Sequence, residues 1–465
     1  MFQLKKNLIE VFITLHTLTE DKVKIYLVGG FIRDYFLGKE SRDLDFIIYP
    51  FSYKILEYFT KSVSGKIFPL DENRKYFRVI AKLNNENYIF DFTPPQEENL
   101  LGEIKRRDFT INSILLDLSN LRLIDLLGGI KDLKENKLKV CSEYSIPEDP
   151  LRILRGFRFA SNLGFKLTSF TEKMMIENKK NLKRIKGERI HDEIYRILRS
   201  SFTKDFWIKM YKLGILEEIL PELTALESIP WTNPHHTNPL FHSFEALGIF
   251  EYIYYYLDKI FPENYLSLKE YLNKEFYSEF TKKELLKFSI LIHDIGKEKT
   301  FSKDEKGKVH YYDHERIGTM ILENISERLR FSRKEEEYIK KMIKYHLYPS
   351  FIFKDEKSNK SRIINKLKDE TLGLMLLFLA DQFSIKPSEQ LLAFFQEVIN
   401  LYLKAKETKT LLSGEEIMQY FSLKPSPLIG KLKESLIQAQ QEGKVRDKKE
   451  ALEFLENILK NENNS

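Results

Sequence analysis

Residues Leu27–Ile48 read LVGGFIRDYFLGKESRDLDFII, and the order of apolar and polar positions in this stretch sets the architecture of the first part of the chain. The run Val23–Val28 (VKIYLV) stops at Gly29-Gly30, so it is expected as a short buried strand closed by a break. FIRDYFLG then shows helical spacing, with Gly38 placed as the residue past the helix end. Leu44–Tyr49 reads as a second strand, opened by Asp43-Leu44-Asp45. Side chains alternate along a strand, so both carboxylates face one way and Leu44 faces the core. Two carboxylates at that spacing can share a pair of divalent cations, which suits in-line displacement at phosphorus. A lone Asp-x-Asp is more commonly an exposed pair. Here Gly29-Gly30 lies between strand and helix, where backbone N–H groups meet phosphates, and Arg33 lies one turn further on.

Tyr76–Leu83 and Tyr88–Thr93 read as two strands joined by Asn-Asn-Glu-Asn, a hairpin signal. Asp91 sits inside the second of them, and an acid in an apolar strand is costly unless paired or metal-bound. It is therefore the candidate third metal ligand. Pro94-Pro95 ends this sheet segment, Phe109–Leu118 is expected to be helical, and Gly128-Gly129 marks a turn. From Pro150 onward the periodicity is helical throughout. Asp149 and Arg152, three apart in a segment expected to be helical, are placed on one helix face. A carboxylate beside a guanidinium matches the amine and ring acceptor that cytosine and adenine both present on the Watson–Crick edge, where uracil and guanine place a carbonyl instead of the amine.

The composition fits a multi-domain protein with real cores: 465 residues, 42% hydrophobic and 31% charged. The longest uncharged apolar run, near Leu372–Ala380, is about half of the roughly 20 residues a membrane span needs. No membrane span and no signal peptide are expected. Cys141 is the only cysteine, which excludes an intramolecular disulfide and a Cys-rich zinc site and fits a reducing cytoplasm. The net charge of +6 is unevenly spread: Arg152–Arg199 holds 13 Lys/Arg against 5 Asp/Glu, leaving 62 and 64 elsewhere. A basic stripe of this kind is the footprint of a polyanion site. Seven of the nine histidines fall between His235 and His346, which marks a separate domain with its own chemistry.

LVGGFIRDYFLGKESRDLDFII resembles the signature of class II tRNA nucleotidyltransferases and bacterial poly(A) polymerases. RRDFTINS (Arg106–Ser113), DLLGGIKDL (Asp125–Leu133), EDPLRILRGFRFASNLGF (Glu148–Phe165) and ERIHDEI (Glu188–Ile194) follow in that family's order. Ser113 stands where the family usually has Ala. The resemblance implies a palm like that of polymerase β, with Asp43, Asp45 and Asp91 catalytic and Mg2+ on the Asp43/Asp45 pair. It assigns Gly29, Gly30, Arg33, Arg106, Arg107, Asp108, Asn112, Asp149, Arg152, Arg155 and Arg158 to nucleotide binding, with Asp149 and Arg152 choosing the base. The implied partners are tRNA, CTP and ATP. Fourteen residues separate Asp91 from Arg106. Relatives that build the whole CCA end usually carry a longer, flexible segment there, and shortened versions resemble enzymes that add only the two cytidines. An A-adding enzyme, a poly(A) polymerase, and a hydrolase whose head only binds RNA are the alternatives.

The ordered set His242, His293-Asp294, His314, His346 and Asp381 resembles the HD superfamily of metal-dependent phosphohydrolases. That implies a divalent transition metal and hydrolysis of phosphomonoesters or 2′,3′-cyclic phosphates. His235, His236 and His310 are left outside the set. The tail from Leu411 resembles the C-terminal segment that cradles the tRNA elbow, with a plain helical cap as the rival reading. The expected fold is α+β: a nucleotidyltransferase head with a small mixed sheet (1–135), then an all-α body. The body comprises a neck for base selection and RNA binding (136–230), an HD domain (231–385) and a helical tRNA-binding tail (386–465).

Overall fold

The computed structural model describes residues 6–19, 23–230, 237–277, 279–355, 358–407, 410–441 and 444–462. They form two compact units, Met1–Thr224 and Ala225–Ser465.

The first unit opens with helix α1 (Lys6–Thr17) and is built on a seven-stranded sheet. Its strands are β1 (Lys24–Val28), β2 (Asp43–Tyr49), β3 (Lys66–Asp71), β4 (Tyr76–Leu83), β5 (Glu86–Thr93), β6 (Leu115–Asp117) and β7 (Arg122–Ile124). The order is β3-β4-β5-β2-β1-β6-β7. β2 and β5 run parallel, and the other neighbouring pairs are antiparallel. Helix α2 (Gly30–Phe36) leaves β1 through Gly29, which has φ 80° and ψ −145°, a conformation open to glycine alone. The β4–β5 turn places Asn84 and Asn85 at φ 49° and 66°, as a two-residue hairpin requires.

Register decides which side chains share a face. Asp45 lies opposite Val28 on β1 and opposite Asp91 on β5. On the other face Phe46 stacks on Phe92 at 5.1 Å, and Phe59 from the helix Tyr53–Ser62 meets Phe90 and Phe92 edge-on at 5.2 Å. The carboxylate face closes at its far end on Tyr26, Val28, Ile47, Leu115 and Ile104, the last from helix α3 (Leu100–Lys105). Helices α4 (Arg152–Leu163) and α5 (Gly187–Leu198) pack on each other beyond the sheet.

Two expectations need correction. Phe109–Leu118 is not a helix but a 3-10 turn, Thr110–Asn112, followed by β6. β6 is buried on both faces between β1 and β7, so the alternation that marks a strand is missing from its sequence. Asp149 is not helical: it precedes Pro150, which disfavours the helical conformation for it, and it stands extended at φ −139°, ψ 97°. The body is helical as expected, with short ladders such as Lys137–Leu138 with Lys166–Leu167 and Ser302–Lys303 with Val309–His310 between its helices.

In the second unit α6 (Pro239–Tyr255), α7 (Lys282–Ile292), α8 (His314–Leu329), α9 (Arg333–Tyr345) and α10 (Thr371–Ile385) pack together. The tail helices Gly414–Phe421, Pro427–Gln441 and Lys448–Glu462 close over a core of their own around Ile417, Leu432, Leu436 and Leu455. No helix among the described residues is long and apolar enough to cross a membrane. Lys287 on α7 donates to Glu251 on α6 at 2.8 Å with both side chains enclosed, and burial holds its ammonium below the usual range against the pull of Glu251. Glu251→Leu alone takes this carboxylate away from a buried cation and is expected to cost about 3–5 kcal/mol. Adding Lys287→Met should recover most of that in thermal unfolding. A double variant as unstable as the single one would contradict this account.

Candidate functional site

A cavity of about 470 Å³ lies over the carboxylate face. It gathers ten of the expected residues: Gly29, Gly30, Arg33, Asp43, Asp45, Arg107, Asp108, Asn112, Arg155 and Arg158. The rest follow from how the chain folds around it. A Cβ on Gly29 would stand 2.5 Å from Asp45 Oδ2, so the turn after β1 passes directly over that carboxylate. Arg33 grips Asp34 through two hydrogen bonds of 2.9 Å and donates to Asn112 Oδ1 at 2.8 Å. Asn112 Nδ2 donates to Asp108 Oδ1 at 3.0 Å, and Arg155 donates to Asp108 Oδ2 at 2.6 Å. One hydrogen-bonded line thus runs from α2 through the Thr110–Asn112 turn to α4. Burial alone would raise the Asp108 carboxyl, but Arg155, Asn112 and the Phe109 N–H together hold it down to about 2. Arg158 pairs with Glu193 of α5 at 3.1 Å. Burial lowers its guanidinium to about 10 despite Glu193, with Arg155 and Arg196 adding to the fall.

Four expected residues do not line the cavity. Asp91 lies beside Asp45 in the sheet, but both its oxygens accept from Arg78 of β4, at 2.8 and 2.7 Å. Arg106 turns to Glu103 and Glu148, each at 3.3 Å. Asp149 and Arg152 are not brought together. Asp149 pairs with Arg189 at 2.9 Å, and Arg152 donates to the carbonyls of Arg106 and Ser145, both at 2.7 Å. Four residues that the motifs did not assign do line it: Phe159, Asn162, Arg196 and Arg199. The basic excess of Arg152–Arg199 was the available signal for the two arginines.

The second unit holds a buried cluster at converging helix ends. His293 and Asp294 follow α7, His346 follows α9, His314 starts α8, and His242 and Asp381 lie within α6 and α10. The Nδ1 atoms of His293, His314 and His346 each meet a carbonyl three residues back, of Ile290, Tyr311 and Ile343, at 2.8 Å. In the neutral rings this leaves Nε2 as an acceptor directed inward. His314 and His346 then face each other Nε2 to Nε2 at 3.2 Å, an arrangement that a cation resolves. Among the described residues, His293 Nε2 is buried without a hydrogen-bond partner.

Asp294 divides its oxygens. Oδ1 stands 3.6 and 3.5 Å from His314 and His346, while Oδ2 stands 3.3 and 3.9 Å from His293 and His242. Asp381 Oδ1 lies 2.8 Å from His242 Nε2 and 3.5 Å from His293 Nε2. Two triads of cation-binding geometry therefore share Asp294: His242–His293–Asp294 and Asp294–His314–His346. Without a cation, burial by itself would lower His293, but Asp294 and Asp381 more than offset it and raise it to about 10. Lys297 Nζ reaches Asp294 Oδ2 at 2.5 Å. His310 stays apart, paired with Asp304 at 3.0 Å, and His235 and His236 lie outside the described residues.

Residues 25–139 match the Poly A polymerase head domain, 164–227 the probable RNA and SrmB-binding site of polymerase A, and 242–385 the HD domain. The A-adding tRNA nucleotidyltransferase of Deinococcus radiodurans is 29% identical over 444 residues, covering 92% of this chain and 94% of that one. The CC-adding tRNA nucleotidyltransferase of Thermus thermophilus is 28% identical over 438 residues, covering 92% of each. The fold is that of a solved CCA-adding enzyme in an apo form, with a TM-score of 0.70 at 20% identity, covering 97% of this chain and 94% of that one.

The Asp45 carboxyl is raised to about 6, first by the protein crowding it at the cavity floor and then by Asp91 and Asp43, against the lowering pull of Arg107. An unfolded aspartate titrates near 3.9, so the folded form holds the proton more tightly. Without divalent cations, stability should therefore fall as pH rises from about 4 to about 6. Asp45 still meets solvent, which limits the effect to about 1 kcal/mol. In EDTA, Asp45→Asn should remove that part of the pH dependence of the unfolding temperature. Identical pH profiles for the two proteins would overturn the assignment.

Proposed function

The chain belongs to the tRNA nucleotidyltransferase and poly(A) polymerase family, and we propose that within it the protein adds cytidines from CTP to the 3′ end of tRNA and stops after two. In this reading the 3′-hydroxyl oxygen attacks the α-phosphorus of CTP in line, a new P–O bond forms, and pyrophosphate leaves. Asp43 and Asp45 would hold Mg2+; both line the cavity from the sheet, and the Asp45 carboxyl, raised first by burial and then by Asp91 and Asp43, is one whose charged form a cation would stabilise. When bound, that cation lowers the pKa of the attacking hydroxyl and stabilises the departing charge. Arg33, Arg107, Arg155 and Arg158 line the cavity where the triphosphate would lie. Gly29 leaves the room over Asp45 that a side chain would fill. For Asp149 and Arg152 to choose the base, Asp149 must release Arg189 and Arg152 must release two carbonyls.

The observation that favours two cytidines over a full CCA is the segment after Asp91. Adenine is larger than cytosine, so accepting ATP after CTP needs a pocket that changes shape. Between Thr93 and Leu100 the chain is short and tied down. Gln96 N donates to Glu103 Oε2 at 2.8 Å, Asn99 Oδ1 accepts from Gly102 N at 2.8 Å, and the Glu103 side chain is buried. The two full-length relatives differ, one A-adding and one CC-adding, so kinship alone does not choose. With tRNA lacking CCA and both CTP and ATP present, the expected product is two nucleotides longer. Three added nucleotides, or A alone on tRNA ending in CC, would replace this reading with a CCA-adding or A-adding one. Asp43→Ala and Asp45→Ala should each slow addition at least about 10³-fold while leaving tRNA binding within about threefold.

For the second unit we propose a two-cation phosphohydrolase site on His242, His293, Asp294, His314, His346 and Asp381, acting on phosphomonoesters or 2′,3′-cyclic phosphates. Imidazole and carboxylate donors suit Mn, Fe, Ni or Zn. After loading with Mn2+, elemental analysis should find two ions per chain in the wild type, one in His314→Ala and none in Asp294→Ala, with nucleotide addition unchanged in all three. One ion in the wild type would exclude a two-cation site on these residues.

A further inference from the structure

α4 carries Arg155, Arg158 and Phe159 at i, i+3 and i+4, so they share one side of the helix. The Phe159 ring is where that helix meets α2. Three guanidinium carbons surround its centroid: Arg158 at 4.7 Å, Arg33 at 5.1 Å and Arg155 at 5.6 Å. Arg33 belongs to a different element, far away in sequence. Phe159 is 9% exposed, lines the cavity, and meets Phe109 edge-on at 5.8 Å. Each arginine also has its own carboxylate: Asp34 for Arg33, Asp108 for Arg155 and Glu193 for Arg158.

Three cations around one ring repel one another, and the carboxylates anchor each from outside the group. The ring supplies what no anion here supplies: an attractive surface between the cations that does not neutralise them. A carboxylate in that place would cancel the charge that a triphosphate needs. An aliphatic residue would fill the volume without the quadrupole that attracts guanidinium groups. We propose that Phe159 is a positioning residue that gathers Arg33, Arg155 and Arg158 into one anion-facing group, setting affinity for the triphosphate part of the nucleotide. This rests on the nucleotidyl-transfer reading of the cavity.

The test compares Phe159→Leu, Phe159→Tyr and wild type. Equilibrium binding of inorganic tripolyphosphate and of CMP is measured on the full chain, followed by KM and kcat for CTP with tRNA. In Phe159→Leu, tripolyphosphate affinity should fall and KM for CTP should rise, each about tenfold. CMP affinity, KM for tRNA and kcat should stay within about threefold. Phe159→Tyr, which keeps the ring, should restore wild-type values. Equal losses in both variants, or a loss that is as large for CMP, would mean that Phe159 acts by packing alone and would overturn the proposal. Wild-type tripolyphosphate affinity in Phe159→Leu would overturn it as well. A wild-type chain that neither binds tripolyphosphate nor extends tRNA would instead sink the functional reading beneath it.

Discussion

Where the chain turns out of β1 it crosses Asp45 so closely that a single methyl group would not fit. An ideal Cβ on Gly29 lies 2.5 Å from Asp45 Oδ2, and Gly29 adopts φ 80° to make the crossing. The approach follows from register, because Val28, the last residue of β1, lies opposite Asp45 on β2. Much of the first unit's site descends from that contact. The turn launches α2, which presents Arg33 to Asn112. Asn112 holds Asp108, and Asp108 holds Arg155 on α4. A strand end inside the sheet, a turn and two helices are set relative to one another by charged and amide groups with little freedom to move. The burial of Asp108 makes the line stiff, since a buried carboxylate deprived of Arg155 would be an uncompensated charge.

Charge is handled asymmetrically around the cavity. On the sheet side carboxylates accumulate, and Arg78 satisfies the one that does not line the cavity, Asp91. That leaves Asp43 and Asp45 as the acids lining the cavity from the sheet, with Asp45 raised first by burial and then by Asp91 and Asp43. On the helical side arginines accumulate, and Arg33, Arg155 and Arg158 are each tethered to a carboxylate, Asp34, Asp108 and Glu193. An acidic floor with a basic wall suits a ligand that brings cations to one side and phosphates to the other. A cavity of a single sign would hold one of these and repel the other.

The sequence disclosed those features that depend on short periods. Asp43 and Asp45 were legible because strand side chains alternate, and the HD pair because it follows an apolar helical run. Features that depend on pairing were not legible. Arg78 reaches Asp91 only through the β4–β5 register. β3 is an exposed edge strand interrupted by Pro69, so it lacks the alternation that would announce it. Asp149 and Arg152 have helical spacing on paper, yet Pro150 between them holds Asp149 in an extended conformation, and their side chains diverge. Arg196 lies in α5 and Arg199 just past its end, and their place at the cavity depends on how that helix packs against α4. The sharing of Asp294 between two triads depends on where each of its oxygens points, which no spacing encodes.

The HD cluster shows why its histidines stand where they do. A helix leaves the carbonyls of its last turn without intrahelical donors. His293 and His346 sit just past the ends of α7 and α9, where an Nδ1–H can satisfy such a carbonyl and so turn Nε2 toward the centre. His314 does the same with Tyr311 just before α8. These three rings are oriented locally, by backbone within three residues. His242 lies inside α6, where carbonyls are already engaged, and its Nδ1 meets Ser384 Oγ of α10 at 3.1 Å. Its Nε2 meets Asp381 on the same helix, and Asp381 Oδ2 is held by Gln382 at 2.7 Å. The triad through His314 and His346 is thus set by local backbone geometry, while the triad through His242 exists only once α6 and α10 have packed together. Asp294 joins the two, so the geometry of the first triad is tied through one carboxylate to the packing that creates the second.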